Sequence, residues 1–328
     1  MIIVTGGAGF IGSNLVAGLE SRGHNDIIIC DTLGHDEKWR NIAKRELAEF
    51  VSSEKLMSFL ADHASEISMI YHLGGVSSTV ETNADLIVQS NFQLPVQLWR
   101  WCCRHGTRFV YASSAATYGD GASGFDDDFS SDVLETYRPL NAYGWSKHAF
   151  DRWVARVVRT GRVRPPQWVG LKFFNVYGPN EYHKGGQMSV VAQTHKKVAN
   201  GDGATLFRSH NPNYANGGQL RDFIWVGDCV DIMLWLNDNP KVNGVFNVGT
   251  GKARSFLDLA NAVFKSMGKE PKINFVDTPE HIRAKYQYFT EAKMERLRAA
   301  GYTKPFTSLE DGINTYVQQF LNNPDPYK

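Results

Sequence analysis

Three side chains near the middle of the sequence have the types and the spacing of a proton-transfer site. Tyr143 and Lys147 are four residues apart, so both project from one face if a helix carries them. An ammonium group beside a phenol favours the phenolate, and it is expected to lower the pKa of Tyr143 from its usual value of about 10. The hydroxyl of Ser114 can orient a substrate oxygen that Tyr143 deprotonates. The pattern Tyr-x-x-x-Lys is also common by chance, usually on an exposed helix face.

A glycine-rich turn at the start of the chain predicts a partner for that chemistry. The apolar run 2–5 has the composition of a buried strand, and Gly6, Gly9 and Gly12 follow it where a helix is expected to begin. Glycines at such positions permit a tight turn, a close approach of the backbone to a pyrophosphate, and close packing of the helix on the sheet. The helix N-terminus attracts the same anion. The turn therefore predicts a nicotinamide dinucleotide site.

The end of the second predicted strand, 27–30, bears on the choice between NAD and NADP. Asp31 follows the glycines by about twenty residues, the distance at which an acid binds the adenosine ribose. Asp31 favours NAD, because a carboxylate there repels a 2′-phosphate. Lys38 favours NADP, because a cation a few residues further on can neutralise that phosphate. The residues alone leave both cofactors open.

The remaining elements predict a Rossmann-like, doubly wound parallel sheet with a smaller C-terminal substrate-binding lobe. Short apolar strands are expected at 69–73, 109–112, 168–174 and 245–248, and a helix at 85–105. Several of these strands run into glycine or serine residues. Open α/β sheets bind ligands at the carboxyl ends of their strands, so these polar loops are expected to meet at one site.

The predicted strands divide the chain into two parts. Residues 1–175, with 222–252 returning to them, are expected to form the dinucleotide-binding domain. Residues 176–221 and 253–328 are expected to form the substrate lobe. The tail at 322–326, rich in asparagine and proline, is expected to be frayed.

Two basic residues in the second half have two interpretations each. Lys184, in a loop among glycines, is either a surface lysine or a second acid–base group, and the residues by themselves favour the surface. Arg221 is able to clamp a diphosphate bidentately, which a lysine does not match, or it pairs with its neighbour Asp222.

The composition is that of an ordinary globular enzyme and argues against several other classes. The 328 residues are 42% hydrophobic and 21% charged, and the net charge of +1 argues against binding to nucleic acid or to an anionic membrane. The four cysteines lack the spacing of metal ligands, so four reduced thiols of a cytoplasmic protein and no metal site are expected. No signal peptide and no apolar run long enough for a membrane span are visible.

The order of glycine turn, Asp31, serine-rich strand end, Tyr143 and Lys147 resembles the extended short-chain dehydrogenase/reductase superfamily. A closer resemblance, from the first residue to about residue 320, is to the ADP-L-glycero-D-manno-heptose 6-epimerase family. The segments that carry it are 5–14, 111–119, 174–179, 183–185, 285–290, and 298–302 with 304–306.

This resemblance implies a reaction and its catalysts. The family inverts C6″ of ADP-D-glycero-D-manno-heptose, giving ADP-L-glycero-D-manno-heptose, by transient oxidation and re-reduction with a tightly bound nicotinamide cofactor. The resemblance implies NADP, with NAD possible, one per subunit of a ring-shaped homo-oligomer such as a pentamer. It implies that Tyr143 and Lys184 are the bases on opposite sides of the sugar, assisted by Lys147 and Ser114. Lys184 thereby becomes a predicted catalyst.

The predicted binding residues follow from these motifs and from the resemblance. The predicted cofactor contacts are Gly6, Gly9, Phe10, Ile11, Gly12, Asp31, Thr32, Lys38, Leu73, Gly74, Gly75, Val76, Ser77, Asn91, Lys147, Val176 and Lys184. The predicted substrate contacts are Ser114, Asn175, Gly186, Gln193, Phe207, Arg208, Ser209, His210, Arg221 and Tyr286.

Three other functions fit part of the sequence. A UDP-hexose 4-epimerase would use Tyr143, Lys147 and Ser114 without requiring Lys184. A nucleotide-sugar 4,6-dehydratase is disfavoured, because it resembles this group but carries Asp-Glu after the threonine that corresponds to Thr117, where this chain has Tyr-Gly. A non-catalytic dinucleotide sensor would be free to lose the tyrosine or the lysine, and both are present.

Overall fold

Short strands and helices alternate along the chain, as the apolar runs predict. The computed structural model describes residues 1–35, 37–283 and 286–328. The strands are β1 (Ile2–Thr5), β2 (Ile27–Asp31), β3 (Glu49–Ser52), β4 (Met69–His72), β5 (Arg108–Ser114), β6 (Trp168–Phe173), β7 (Asn175–Tyr177), β8 (Ala204–Phe207), β9 (Leu220–Arg221), β10 (Phe223–Trp225), β11 (Gly244–Val248), β12 (Arg254–Ser255) and β13 (Ile273–Val276).

The helices follow most strands directly and are amphipathic where they cover the sheet. They are α1 (Phe10–Ser21), α2 (Leu56–Asp62), α3 (Ala84–Val88), α4 (Leu94–His105), α5 (Ser131–Leu134), α6 (Ala142–Arg159), α7 (Val190–Ala199), α8 (Val226–Asp238), α9 (Phe256–Ser266), α10 (Glu280–Arg283), α11 (Glu295–Ala299) and α12 (Leu309–Tyr316). The helix predicted at 85–105 is divided into α3 and α4 by a π-helical turn at Gln89–Gln93. Pro95 lies in the first turn of α4, where its missing N–H breaks the regular bonding.

Seven parallel strands form the main sheet in the order β11-β6-β5-β4-β1-β2-β3. The chain builds outward from β1 in one direction and then from β4 in the other, so the strand order reverses between β1 and β4. This is the predicted doubly wound arrangement, and its reversal point creates a crevice at the carboxyl edge of the sheet. The inner strands are buried on both faces, which is why β1 reads as a wholly apolar run.

Apolar cores lie on both faces of the main sheet, and a separate apolar cluster lies among the C-terminal helices. Leu15 and Ile232 belong to the core on one face, and Trp99 and Phe109 to the core on the other. A further core around Ile313 joins α7, α9 and α12 beside three two-stranded sheets. The division of the chain into a dinucleotide-binding domain and a substrate lobe stays a prediction.

The C-terminal tail is docked against the body of the protein, so the expectation that 322–326 is frayed is wrong. The ring of Tyr327 is buried, and the hydroxyl of Tyr182 donates to the carbonyl oxygen of Pro326 at 2.9 Å. The amine of Lys44 donates to the carbonyl oxygen of Tyr327 at 2.6 Å. An aromatic anchor and fixed carbonyl acceptors offset the conformational entropy that normally frays a terminus.

The four cysteines are free thiols, as expected. Across the described ranges, no helix combines the length and the apolarity that crossing a membrane requires. In the same ranges, no cluster of histidine, cysteine and acidic side chains is arranged to hold a metal ion.

Candidate active site

The carboxyl edge of the main sheet opens into a cavity of about 740 Å³, which we call the central cavity. Its walls come from residues that follow β1, β4, β5 and β6, from α6, and from the loop after β7. Open α/β sheets bind ligands at such an edge. The lining residues are Phe10, Ile11, Leu73, Gly74, Gly75, Val76, Ser77, Thr79, Val80, Ala112, Ser113, Ser114, Tyr143, Lys147, Phe173, Phe174, Val176, Lys184, Gly186 and Gln187.

The turn between β1 and α1 has the geometry of a diphosphate cradle. Gly6 has a φ of 67°, and a Cβ atom there would lie 2.6 Å from the backbone nitrogen of Gly74. A Cβ atom on Gly12 would lie 2.0 Å from the carbonyl oxygen of Gly6. Gly9 precedes α1 and provides no side-chain cap, so the first N–H groups of the helix face outward without one. These residues fit the dinucleotide that the sequence predicts.

Asp31 links this turn to the segment that carries Lys38. One carboxylate oxygen of Asp31 accepts the N–H of Ala8 at 2.9 Å. The other accepts the N–H of Thr32 at 2.7 Å and the amine of Lys38 at 2.6 Å. Asp31, Thr32 and Lys38 lie outside the walls of the central cavity, at the end nearest the glycine turn.

The loop after β4 supplies one wall, and Asn91 supports it from behind. The side-chain oxygen of Asn91 accepts the N–H of Val76 at 2.9 Å, and its amide nitrogen donates to the carbonyl oxygen of Val76 at 2.8 Å. The same nitrogen donates to the hydroxyl of Ser146 on α6 at 3.0 Å. Asn91 is buried, so it fixes the loop to α6 instead of lining the cavity as a cofactor contact.

Tyr143, Lys147 and Ser114 meet at the cavity as the sequence predicts. Asn141 caps α6 by accepting the N–H of Gly144 at 2.8 Å, which places Tyr143 in the first turn of the helix. The hydroxyl of Ser114 lines the same cavity as the phenol of Tyr143 and lies near enough to lower its pKa. The buried amine of Lys147 follows one turn later on the same face. The interpretation of Tyr143 and Lys147 as a chance pair on an exposed helix face is therefore excluded.

The expected lowering of the Tyr143 pKa by Lys147 is wrong for the free protein. Burial raises the pKa of Tyr143, and the hydrogen bond to Ser114 opposes the rise. Burial also lowers the pKa of Lys147 to about 8, and the charge of Asp151 opposes that shift. Spacing alone does not reveal burial, which disfavours the charged forms of both groups.

A buried ion pair stands behind Ser114. The amine of Lys172 on β6 lies 2.6 Å from the carboxylate of Asp151 on α6 and donates to the hydroxyl of Thr117 at 2.7 Å. That hydroxyl donates to the carbonyl oxygen of Ser114 at 2.8 Å. The hydroxyl of Ser113 donates to the same carboxylate at 2.7 Å. The ion pair thus fixes the end of β5 against α6.

Lys184 lies in the wall of the cavity, which contradicts the surface interpretation. Its amine is 5.2 Å from the centre of the Phe10 ring. Burial lowers the pKa of Lys184, and the charge of Glu181 opposes that shift. The loop is fastened to α1, because Asn180 donates to the hydroxyl of Ser13 at 2.9 Å. Lys184 is therefore held at the same end of α1 as the glycine turn.

A second cavity of about 270 Å³ lies between α7, β8 and α9, and includes Gln193, Phe207 and Tyr286 in its walls. Arg221 lies beside it, with its guanidinium carbon 5.6 Å from the ring centres of Phe256 and Tyr286. The guanidinium donates to the carbonyl oxygens of Leu220 and Gln287. It has no carboxylate partner among the described residues.

The alternative pairing of Arg221 with its neighbour is excluded by the contacts of Asp222. One oxygen of Asp222 accepts the N–H and the hydroxyl of Thr250 at 2.8 and 2.7 Å. The other oxygen accepts the N–H groups of Gly251 and Ala292 at 2.9 and 3.0 Å. Asp222 therefore braces two backbone segments, at 250–251 and at Ala292, and leaves Arg221 available to an anion.

Other predicted substrate contacts line neither cavity. Asn175 is exposed on β7, and Arg208 forms an exposed ion pair. The hydroxyl of Ser209 donates to the carbonyl oxygen of Asn211 at 2.7 Å, and His210 is exposed. Lys285, part of one segment that carries the resemblance, lies outside the described residues.

Some residues at the site are absent from the sequence prediction. Thr79, Val80 and Gln187 line the central cavity without a motif that would identify them. Phe173 and Phe174 also line it, although their apolar run predicts only a strand. The sequence did offer one signal for Gln187, because it lies in the same glycine-rich loop as Lys184.

This fold and cavity define an epimerase or dehydratase that works with a nicotinamide dinucleotide. Residues 2–249 match the NAD dependent epimerase/dehydratase family. ADP-L-glycero-D-manno-heptose-6-epimerases from Nitratidesulfovibrio vulgaris strain DP4 and Fusobacterium nucleatum are 47% and 44% identical to the chain, and each match covers 100% of both proteins. The chain belongs to the ADP-L-glycero-D-manno-heptose-6-epimerases within that family.

Solved structures agree with this assignment. The crystal structure of the Helicobacter pylori ADP-L-glycero-D-manno-heptose-6-epimerase has a TM-score of 0.78 and 26% identity, covering 97% of this chain and 95% of that one. A Thermus thermophilus UDP-glucose 4-epimerase, in complex with NAD, has a TM-score of 0.73 and 25% identity, covering 95% and 96%. The fold is thus shared by epimerases named for different sugars.

The ion pair behind Ser114 generates a stability prediction. Lys172→Met is expected to lower the free energy of unfolding by about 3–5 kcal/mol, because it leaves the charge of Asp151 buried and unpaired. Adding Asp151→Leu is expected to recover most of this loss, since an apolar pair then fills the same space. Urea denaturation at a fixed cofactor concentration measures both variants. If the single and double variants lost equal free energies of unfolding, the result would contradict the assignment of Lys172 and Asp151 as a buried ion pair.

Proposed function

We propose that the protein interconverts ADP-D-glycero-D-manno-heptose and ADP-L-glycero-D-manno-heptose by inverting C6″. The observation that carries this proposal is that Tyr143 and Lys184, from separate parts of the fold, line one cavity beside the glycine turn. The names of the relatives support the choice of sugar. A UDP-hexose 4-epimerase would not require Lys184.

The two residues perform the proton transfers of an oxidation and a reduction. C6″ bears no acidic proton, so simple deprotonation does not invert it. A bound oxidised nicotinamide would supply the oxidation and re-reduction of C6″ by reversible hydride transfer, with no net change of the cofactor over a turnover. One of Tyr143 and Lys184 removes the proton of the C6″ hydroxyl as the ketone forms. After rotation about the exocyclic bond, the other gives a proton to the oxygen as the ketone is reduced.

Tyr143 and Lys184 together therefore carry one transferable proton before the reaction and one after it. The group that begins as the base finishes protonated, and the other finishes deprotonated, so the two directions of the reaction use opposite assignments. Ser114, which lines the same cavity, holds the substrate oxygen beside Tyr143. Lys147, one turn along α6, is proposed to hold the nicotinamide ribose.

NADP is the proposed cofactor, and tight binding of one molecule per subunit is part of the proposal. The amine of Lys38 lies 2.6 Å from Asp31, so it neutralises the carboxylate that would otherwise repel a 2′-phosphate. It also donates to the carbonyl oxygen of Thr32 at 2.9 Å, which fixes the amine at the end of β2, where the ribose is proposed to bind. The glycine turn provides the space and the helix end for the diphosphate.

The ADP part of the substrate is proposed to extend from the central cavity into the second cavity. Phe207 and Tyr286 offer aromatic surfaces to a base, and the amide of Gln193 offers hydrogen bonds. Arg221, without a carboxylate partner in the described ranges, suits the diphosphate. Contacts of Asn175 and of 208–210 with the substrate, the homo-oligomer and the cytoplasmic location remain proposals from the resemblance.

The most direct test of the proposed function is an assay of the purified holoenzyme with ADP-heptose and, separately, with UDP-glucose. We expect the C6″ epimer to form from ADP-heptose, detected by NMR, and no epimer to form from UDP-glucose. Epimerisation of the UDP-hexose alone would replace the proposal by a 4-epimerase. Binding of cofactor without any epimer would favour a dinucleotide sensor.

Substitution of the two proposed bases tests the mechanism. Tyr143→Phe and Lys184→Met are each expected to reduce kcat by a factor on the order of 10² to 10⁴, because each removes a positioned proton-transfer group. Cofactor content, measured by absorbance, is expected to stay near that of the unaltered protein. Lys196→Met, at an exposed position of α7, is a matched control and should retain normal kcat. Near-normal activity of Lys184→Met would eliminate the two-base assignment.

Isotope exchange tests the oxidation and reduction. Turnover in deuterated water is expected to place no deuterium at C6″, since the hydride that leaves this carbon is the one that returns. Mass spectrometry of both epimers after equilibration gives the answer. Solvent deuterium on C6″ would point to removal of a carbon-bound proton and would refute the proposed route.

The cofactor proposal is tested by Lys38→Ala. We expect NADP to bind roughly 10- to 100-fold more weakly, corresponding to the loss of about 1.5–3 kcal/mol from a charged hydrogen bond, whereas NAD affinity changes little. Lys44→Ala, which removes a cation near the tail, serves as the control. If Lys38→Ala and Lys44→Ala both retain the NADP preference of the unaltered protein, Lys38 does not bind the 2′-phosphate.

A further inference from the structure

We propose that Glu181 is a positioning residue for Lys184, and that its carboxylate, fixed one turn before the lysine, maintains the ability of the amine to carry a proton. This inference rests on the proposed function, in which Lys184 must accept a proton in one direction and donate it in the other. Glu181 lines neither cavity, so it is proposed to influence the reaction through Lys184 and not by contact with a ligand.

The carboxylate of Glu181 is fully buried and held by three donors from two helices. One oxygen accepts the hydroxyl of Ser189 at 2.6 Å and the hydroxyl of Tyr316 at 3.1 Å. The other oxygen accepts the N–H of Ser189. Ser189 begins α7 and Tyr316 ends α12, so the carboxylate is fixed to two elements of the C-terminal core. Burial raises the pKa of Glu181, and the hydrogen bonds from Ser189 and Tyr316 oppose that rise because they favour the ionised carboxylate.

The same residue is connected to Lys184 by the backbone. The N–H of Lys184 donates to the carbonyl oxygen of Glu181 at 3.0 Å, which closes a single helical turn over residues 181–184. Among the described residues, the carboxylate forms no ion pair within 4.0 Å. The charge therefore acts on the amine through space without forming an ion pair with it, and the amine remains free to meet a ligand.

Among the residues that the structure describes, Glu181 is the carboxylate whose charge acts on Lys184. In the described part of the chain, the lining of the central cavity contains no aspartate or glutamate. The groups that face Lys184 are the Phe10 ring on α1 and, across the same cavity, Tyr143 and Lys147 on α6.

The two influences on Lys184 act in opposite directions. Burial lowers the pKa of Lys184, and the carboxylate of Glu181 raises it. Tyr182 and Tyr316 are the titratable neighbours of Glu181, and burial raises the pKa of both phenols, which therefore stay neutral. Without the carboxylate, burial would act alone, and the amine would accept a proton less readily when it has to act as a base.

The test measures the protonation of Lys184 directly in the holoenzyme, without turnover. The rate at which acetic anhydride modifies Lys184 is followed against pH by peptide mass spectrometry, because only the neutral amine reacts. Glu181→Gln is expected to lower the pKa of Lys184. Below that pKa, labelling at a fixed pH accelerates on the order of tenfold for each unit of the shift. Glu181→Asp, which retains the charge, is expected to stay close to the unaltered protein.

Two controls separate the charge of Glu181 from its packing. Tyr316→Phe removes one hydrogen bond but keeps the carboxylate, so the labelling curve should not move to lower pH. Glu181→Met removes the charge without placing an N–H group against Ser189, and it repeats the test if the glutamine variant does not fold. A loop that merely opens would hydrate Lys184 and raise its pKa toward the ordinary value.

The direction of the shift decides the outcome. A lower pKa of Lys184 in the glutamine or methionine variant, with the aspartate variant unchanged, supports the inference. An unchanged or higher pKa in the uncharged variants would overturn it and assign Glu181 to packing alone. Since labelling requires no substrate, this result stands whether or not the protein epimerises ADP-heptose.

Discussion

The site depends on keeping cations in a buried cavity without giving them direct carboxylate partners. Lys147 has Asp151 one turn away on the same helix, but that carboxylate is paired with Lys172. Lys184 has Glu181 one turn away, but that carboxylate is held by hydroxyl and N–H donors of the C-terminal core. A direct salt bridge would hold each amine charged and occupied. Carboxylates held at a distance sustain part of the charge and leave the amines free for ligands.

The same arrangement recurs where the diphosphate is proposed to bind. Arg221 is followed directly by Asp222, yet the carboxylate braces the segments around Thr250 and Ala292. The guanidinium contacts only backbone carbonyls and aromatic rings within the described ranges. Burying a cation in this way costs stability, and the cost is recovered when an anion binds. The packing of the fold and the chemistry of the site are therefore coupled through the hydrogen-bond and ion-pair partners of Asp151, Glu181 and Asp222.

Local patterns in the sequence predict much of this structure, and long-range contacts account for the rest. The glycine turn, the strand ending at Asp31 and the helix of Tyr143 each follow from residues close together in the chain. The wall position of Lys184 depends on a contact between Asn180 and Ser13, 167 residues apart, which no spacing reveals. The docked tail depends on contacts between residues 144 and 283 positions apart, from Tyr182 to Pro326 and from Lys44 to Tyr327. The pKa of Tyr143 was mispredicted because burial, unlike spacing, is a property of the folded chain.

The central claim is that a phenol and an amine meet one sugar carbon from opposite sides. A crystal structure of the holoenzyme with a bound ADP-heptose measures this directly. The account predicts that C6″ lies in the central cavity, with the phenol of Tyr143 on one side and the amine of Lys184 on the other. At least one of them should lie about 3 Å from the C6″ hydroxyl oxygen, the distance of a hydrogen bond. A complex with C6″ outside that cavity, or with both groups on the same side of the carbon, would contradict it.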